Sequence, residues 1–440
     1  MQTLIKKIAS NKSSQLLIIF GLQGVSAVLG FAVQFLLARN LSVEGYGQFS
    51  ILFNAVTIFT LIISFGSSNH ILRYISINSE HRNKCSVELQ TALFFILINW
   101  LILLVFSIVL NQLVLTNTNY FFPFSIIAMS AIWVLFTAFA QLFQNFDRAI
   151  GYAVRSMIPN NVFKSIFIIG LLALLIWIVR VEIELKDVIG IYVLAFILVT
   201  IIFVVFERKY IKISQFFRRG LVRYRIFFKK TYHYFINTIS QNLLKNLDVI
   251  LIGFFLTSYD AGIYGAANRI NIVIIFGLAS LNILYSPQVA KLYKQNRIKE
   301  LNASLRIPNW AIFIFSLLLF IIILIFGKFI LQFFGESYIQ GYWVLIFLSL
   351  RNLIEAFFGI TGSVLNMSGN QKYFNKILYV ILAAYILLSP VAIKIWGIEG
   401  LALFTVLVAL CKNFVQWKFI YFKLGIRSGL FSNLYYRFIN

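Results

Sequence analysis

Acidic side chains are scarce in this chain. Asp and Glu number 14 against 38 Lys and Arg in 440 residues, and charged residues of both signs make up only 12%. A water-soluble domain carries about a quarter charged residues, so a soluble globular fold is excluded. Cysteine is nearly absent. Cys85 falls in a loop and Cys411 in an apolar run, which argues against a disulfide framework or a cysteine metal centre. The three histidines, His70, His81 and His233, share no ligand spacing. No Gly-x-x-x-x-Gly-Lys-Ser/Thr stretch occurs, so there is no phosphate-cradling loop and no ATP engine. Nothing resembles a catalytic centre.

Apolar residues fill the space that charge leaves. They make up 60% of the chain, the mean hydropathy is +0.88, and runs of about 20 residues recur from end to end. A helix rising about 1.5 Å per residue needs about 20 residues to cross a 30 Å hydrocarbon core. The runs lack the period-2 alternation of a barrel, and backbone groups in lipid must be satisfied within the element. The expected fold is therefore an all-α integral membrane protein of about twelve transmembrane helices. The spans read 15–38, 46–67, 90–111, 120–145, 158–179, 188–206, 234–256, 263–285, 307–327, 338–366, 376–394 and 399–421. The first run is too long for a signal-peptide core and has no cleavage site, so it is read as the first span.

A net charge of +24 would suggest nucleic acid in a soluble protein. Topology explains it otherwise. With the N-terminus inside, 27 Lys and Arg fall in inner segments and 5 in outer loops, helix-edge lysines being given to the adjoining loop. That asymmetry places both termini in the cytoplasm and leaves no nucleic-acid partner to account for. The outer loops are all short, so no catalytic domain projects outward. The heaviest basic run, ERKYIKISQFFRRGLVRYRIFFKK from Glu207 to Lys230, interleaves cations with Phe and Tyr. It reads as a cytoplasmic linker, partly an amphipathic helix on the anionic leaflet. The organisation expected is an N-terminal lobe over 1–206, a basic linker over 207–232, a C-terminal lobe over 233–421 and a cytoplasmic tail over 422–440. Gly47-Gln48-Phe49 and Gly262-Ile263-Tyr264 open the second and eighth spans alike, a weak internal repeat of the kind that secondary transporters carry.

Ionisable groups at bilayer depth are costly and point to function. Six cations lie within the spans: Lys164, Lys245, Arg269, Arg351, Lys412 and Lys418. Lys418 can snorkel to the inner interface. Lys164 and Arg269 lie roughly 9 Å from their helix ends, while Lys245, Arg351 and Lys412 are near mid-helix. Asp248 and Glu355 are the two acids at bilayer depth. Asn237, Gln241, Lys245 and Asp248 form one polar stripe of the seventh span, and Arg351, Glu355, Gly359, Gly362 and Asn366 one of the tenth. Ser50, Asn54, Thr57 and Ser64 make a neutral stripe in the second span, and Gln23 and Gln34 share nearly one face of the first. Lys245–Asp248 and Arg351–Glu355 are candidate structural ion pairs. They still leave an excess of three cations, Lys418 apart, and an uncompensated cationic interior favours a phosphate or pyrophosphate.

Several stretches resemble the Wzx-type polysaccharide flippases of the multidrug/oligosaccharidyl-lipid/polysaccharide exporter superfamily. GFAVQFLLARNLSVEGYGQFSI (Gly30 to Ile51) is similar to the family's first helix, outer turn and second helix. LDVILIGFFLTSYDAGIYGAANRI (Leu247 to Ile270) resembles its seventh-to-eighth hairpin, and YSPQVAKLYKQNRIKEL (Tyr285 to Leu301) the inner loop that follows. Gly335-Glu336-Ser337-Tyr338 and Gly397 to Ala402 look like the openings of helices ten and twelve. No one motif is specific; the ordered set, spread over nearly the whole chain, is.

The resemblance implies two six-helix lobes around a central cavity open alternately to each side. It implies a substrate, undecaprenyl-pyrophosphate-linked oligosaccharide, moved from the cytoplasmic to the outer leaflet of a bacterial inner membrane for O-antigen or capsule synthesis. A polysaccharide polymerase and a chain-length regulator are the partners it suggests. Asp248 matches an acidic position of the family and Arg269 a polar one. The expected substrate-cavity residues are Lys164, Lys245, Arg269, Arg351, Lys412, Asn54, Gln34, Asn237 and Gln241. Asp248 and Glu355 are the candidates for H⁺ or Na⁺ coupling, with no other cofactor and no metal site expected. A multidrug or small-molecule exporter of the same superfamily is the alternative, and a net basic interior disfavours cationic drugs.

Overall fold

The computed structural model describes residues 12–114, 123–179, 183–211, 213–271, 285–286 and 288–433. Every regular element among them is a helix. In chain order these are α1 (Lys12–Asn40), α2 (Val43–Ser64), α3 (Ser67–Asn78), α4 (Arg82–Val114), α5 (Phe124–Ala149), α6 (Ala153–Met157), α7 (Lys164–Ala173) and α8 (Leu185–Glu207). There follow α9 (Ile213–Phe255), α10 (Ser258–Ile270), α11 (Ile298–Phe334), α12 (Tyr342–Phe358), α13 (Thr361–Met367) and α14 (Gln371–Leu424). Among the described residues nine helices are long and apolar enough to cross a membrane. The protein is a multi-pass, all-helical membrane protein, as its composition predicts.

The chain divides into two compact units. The first comprises Met1–Leu41 and Leu52–Asn246, the second Ser42–Ile51 and Leu247–Asn440. In the first unit α6 runs through a π-helical stretch, Ile158–Phe163, into α7. Pro159 stands at the start of that stretch; with no N–H to donate it loosens the turn. The linker is not a separate surface helix. From Ile213 on it is the first part of α9, continuous with the predicted seventh span, and its residues from Tyr224 on pack into the first unit. Phe228 and Phe235 stack on Phe65 with ring centroids 4.5 and 4.1 Å away. Tyr224 donates to Asn99 Oδ1 at 2.7 Å, and Asn69 donates to Thr238 Oγ1 at 2.9 Å. The aromatic residues interleaved with the linker cations are thus partly core, with Phe227 2% exposed.

In the second unit the opening turns of α2 and α10 cross. A Cβ on Gly47 would lie 1.7 Å from Ser258 O, and one on Gly262 2.3 Å from Val43 O. The two glycines that mark the weak repeat therefore face each other, and only glycine lets the backbones come so close. The helix α10 begins at Ser258, five residues before the predicted 263, because Thr257 caps it by accepting from Asp260 N at 3.2 Å. The rest of the predicted eighth span, 272–284, lies outside the described residues.

The predicted helix 338–366 is broken. A 3₁₀ turn, Glu336–Gly341, leads into α12, which ends at Phe358 before α13 begins. Gly359 at the break has φ 74° and ψ −151°, open only to glycine. A Cβ there would meet Ser428 O at 2.0 Å, because the segment after α14 returns against the break. Asn302 brackets that segment, donating to Gly425 O at 2.9 Å and accepting from Arg427 N at 2.8 Å. Phe431 packs on Trp417, Phe358 and Phe357. Between the predicted spans 376–394 and 399–421, α14 loses helical geometry at Trp396 and Gly397.

Candidate functional site

In the second unit polar side chains cluster on the C-terminal part of α9 and on α10, α12 and α14. Asp248 is 1% exposed. Tyr264 of α10 donates to its Oδ2 at 2.7 Å and Tyr385 of α14 to its Oδ1 at 2.5 Å. Arg351 of α12 stands 3.9 Å away, Nη1 to Oδ2, outside hydrogen-bond range. One turn along α12, Glu355 accepts from Lys412 Nζ of α14 at 2.8 Å. Those two side chains are 28% and 22% exposed.

The ion pairs differ from the two candidates in the sequence. Lys245 does not reach Asp248, and Arg351 does not close on Glu355. Each acid pairs with a cation from another helix instead, Asp248 with Arg351 and Glu355 with Lys412. The reason is direction: on α9 Lys245 is exposed while Asp248 is buried, so the stripe that contains both does not face one environment.

Neutral groups extend the polar interior of this unit. Ser349 donates to Asn271 Oδ1 at 2.9 Å, and Asn352 to the same atom at 3.3 Å. Thr361 at the start of α13 donates to Gln416 Oε1 of α14 at 2.8 Å. Arg269 lies against the Tyr46 hydroxyl as a hydrogen-bond partner. These carboxamides and hydroxyls satisfy one another, as buried polar groups must.

The first unit holds the remaining predicted residues. The Lys164 ammonium sits over the Phe196 ring, 5.1 Å from its centroid, a cation–π contact, and no carboxylate among the described residues pairs with it. Gln34 and Asn54 are buried; Gln34 Nε2 points at the Tyr192 hydroxyl at 3.5 Å. Tyr192 joins Trp133 and Phe53 in an aromatic cluster. Gln241 is half-buried and Lys245 exposed. The side chain of Asn237 lies outside the described residues. Of the residues predicted from sequence, the structure thus brings together Arg351 with Asp248 and Lys412 with Glu355, two pairs within the second unit.

Sequence reasoning missed two acid clusters at the helix ends of the first unit. Asp147 and Glu207, both buried, converge on Arg155, which holds Asp147 through Nε and Nη2 at 3.1 and 2.6 Å and Glu207 through Nη2. Glu88 accepts from Lys230 at 3.3 Å and bonds His70 Nε2 at 2.8 Å. All lie just outside the apolar runs, where loop charges are ordinarily solvated. Among the described residues no group of His, Cys, Asp and Glu could hold a metal ion.

The sequence matches two families, one described as polysaccharide biosynthesis protein over residues 14–287 and one described as MatE over residues 234–393. No curated protein matches the chain. Among solved structures the chain is similar to a lipid II flippase, MurJ, in an inward closed conformation, with TM-score 0.72 and 14% identity, covering 91% of this chain and 87% of that one. It is similar to an inward-facing multidrug resistance MATE family transporter of the MOP superfamily, with TM-score 0.71 and 13% identity, covering 90% and 93%. A MOP superfamily transporter from Pyrococcus furiosus gives TM-score 0.62 at 13% identity over 92% and 93%. At such identities the likeness is one of fold.

Proposed function

The chain belongs to the polysaccharide biosynthesis protein family, and from that premise we propose that it is a flippase for undecaprenyl-pyrophosphate-linked oligosaccharide. It carries repeat units from the cytoplasmic to the outer leaflet of a bacterial inner membrane by alternating access, for O-antigen or capsule. It makes and breaks no covalent bond and uses no ATP; H⁺ or Na⁺ is the coupling ion. A polysaccharide polymerase takes the product, under a chain-length regulator, and both termini are cytoplasmic.

One observation carries the reading: cations outnumber acids at membrane depth. Among the described residues at that depth the second unit holds three cations, Arg269, Arg351 and Lys412, and two acids, Asp248 and Glu355, and Lys164 in the first unit has no carboxylate in ion-pair reach. A diphosphate fits that surplus, since Arg and Lys bind it through charge-assisted hydrogen bonds. The neutral carboxamides and hydroxyls suit sugar hydroxyls.

A multidrug or small-molecule exporter is the second reading, favoured by the MatE match over 234–393. Deleting the gene separates the two. The flippase reading expects lipid-linked oligosaccharide to accumulate in the cytoplasmic leaflet while surface polymer is lost. Unchanged polymer and lipid-linked sugar, in a strain with no second flippase, favours the exporter.

A further inference from the structure

Among the described residues of the second unit, Arg351 is a strong hydrogen-bond donor whose two nearby acids, Asp248 and Glu355, both accept hydrogen bonds from other groups. Its guanidinium has five N–H donors in a fixed fork. Asp248 is turned toward two tyrosines instead: each carboxylate oxygen accepts a hydroxyl, Tyr264 at 2.7 Å and Tyr385 at 2.5 Å, which fixes where the carboxylate stands. The arginine stays 3.9 Å off. Glu355 shares a face of α12 with Arg351, one turn on, and is held by Lys412 at 2.8 Å. The Arg351 side chain is 16% exposed and that of Asp248 only 2%, so the cation is accessible and its counter-charge is not.

We propose that Tyr264 and Tyr385 are positioning residues that hold Asp248 away from Arg351 and so make Arg351 the phosphate-receiving group of the second unit. This rests on the flippase reading and deepens it. The ligand chemistry is a diphosphate, doubly esterified in the lipid-linked sugar or free, taken bidentately by the guanidinium. Asp248 supplies enough negative field to keep the fork oriented without occupying it. When a diphosphate arrives, no hydrogen bond between the guanidinium and Asp248 has to be broken first.

The test is equilibrium binding of undecaprenyl-pyrophosphate-linked oligosaccharide, and separately of inorganic pyrophosphate, to the full chain in nanodiscs. Removing both hydroxyls (Tyr264→Phe with Tyr385→Phe) leaves Asp248 without donors. It then recruits Arg351, and affinity falls about tenfold or more, the scale of a charge-assisted hydrogen bond. Adding Asp248→Asn to the double variant restores binding, which a merely structural loss would not allow. Asp248→Asn alone binds at least as tightly as the wild type, and Arg351→Lys binds more weakly because the fork is gone. This pattern with both ligands, or with the lipid alone, supports the inference. Wild-type binding of the lipid that is unchanged in the double variant, or not restored by Asp248→Asn, overturns it and leaves the flippase reading standing. Asp248→Asn alone binding as weakly as Arg351→Ala also overturns it. No binding of the lipid to the wild type overturns the flippase reading itself.

Discussion

The Lys412–Glu355 pair permits a prediction whose sign separates a substrate site from a structural tie. The two groups are 2.8 Å apart and about a quarter exposed. Exposed pairs contribute up to about 1 kcal/mol, while stripping one partner from a fully buried pair costs about 3–5 kcal/mol. At this exposure the pair lies near the lower figure, about 1 kcal/mol, or roughly fivefold in an equilibrium. If Lys412 meets the substrate diphosphate, Glu355 competes with it. Glu355→Gln then frees the ammonium, and undecaprenyl pyrophosphate binds about fivefold more tightly. Lys412→Ala weakens binding by at least as much, and the double variant behaves like Lys412→Ala. The assay is lipid titration against the full chain in nanodiscs, with thermal unfolding as the control. Equal weakening in both single variants would refute the reasoning and make the pair a tie between α12 and α14.

Gly47→Val should abolish the folded yield, because its Cβ would overlap Ser258 O at 1.7 Å; Gly30→Ala, with nothing within 4 Å, should leave it unchanged in size-exclusion chromatography. Arg155→Gln strands Asp147 and Glu207, at 0% and 1% exposure, and should cost about 3–5 kcal/mol in thermal stability, part of it recovered by Asp147→Asn. Lys245→Ala should lower the transport rate without lowering the unfolding temperature, since its side chain is exposed; a matching loss of stability would make it structural.

The architecture was legible because membrane helices announce themselves by composition: long apolar runs give the fold class without any packing detail. Where the fold departs from that reading, a packing event decides. Nothing in the sequence near Gly359 shows that Ser428, about seventy positions on, will press against it, so 338–366 reads as one helix. The aromatic residues of the linker look amphipathic because their partner, Phe65, lies far away in sequence. The site was legible in part. Depth and charge picked out Arg351, Lys412, Asp248 and Glu355, yet helical spacing suggested the wrong pairings, since i, i+4 neighbours are visible in a sequence and cross-helix neighbours are not. Tyr264 and Tyr385 carried no signal among 21 tyrosines; only the buried carboxylate between them gives them a role.

The central claim, that this protein moves a diphosphate-linked sugar lipid between leaflets, is tested most directly by reconstitution. The purified chain is placed in liposomes with undecaprenyl-pyrophosphate-linked oligosaccharide, and an added glycosidase reports the outer-leaflet fraction over time. Complete digestion with the wild type, and digestion stopping near half with Arg351→Ala and with empty liposomes, is the predicted result. Digestion that stops near half with the wild type as well, under an imposed H⁺ or Na⁺ gradient, would contradict it.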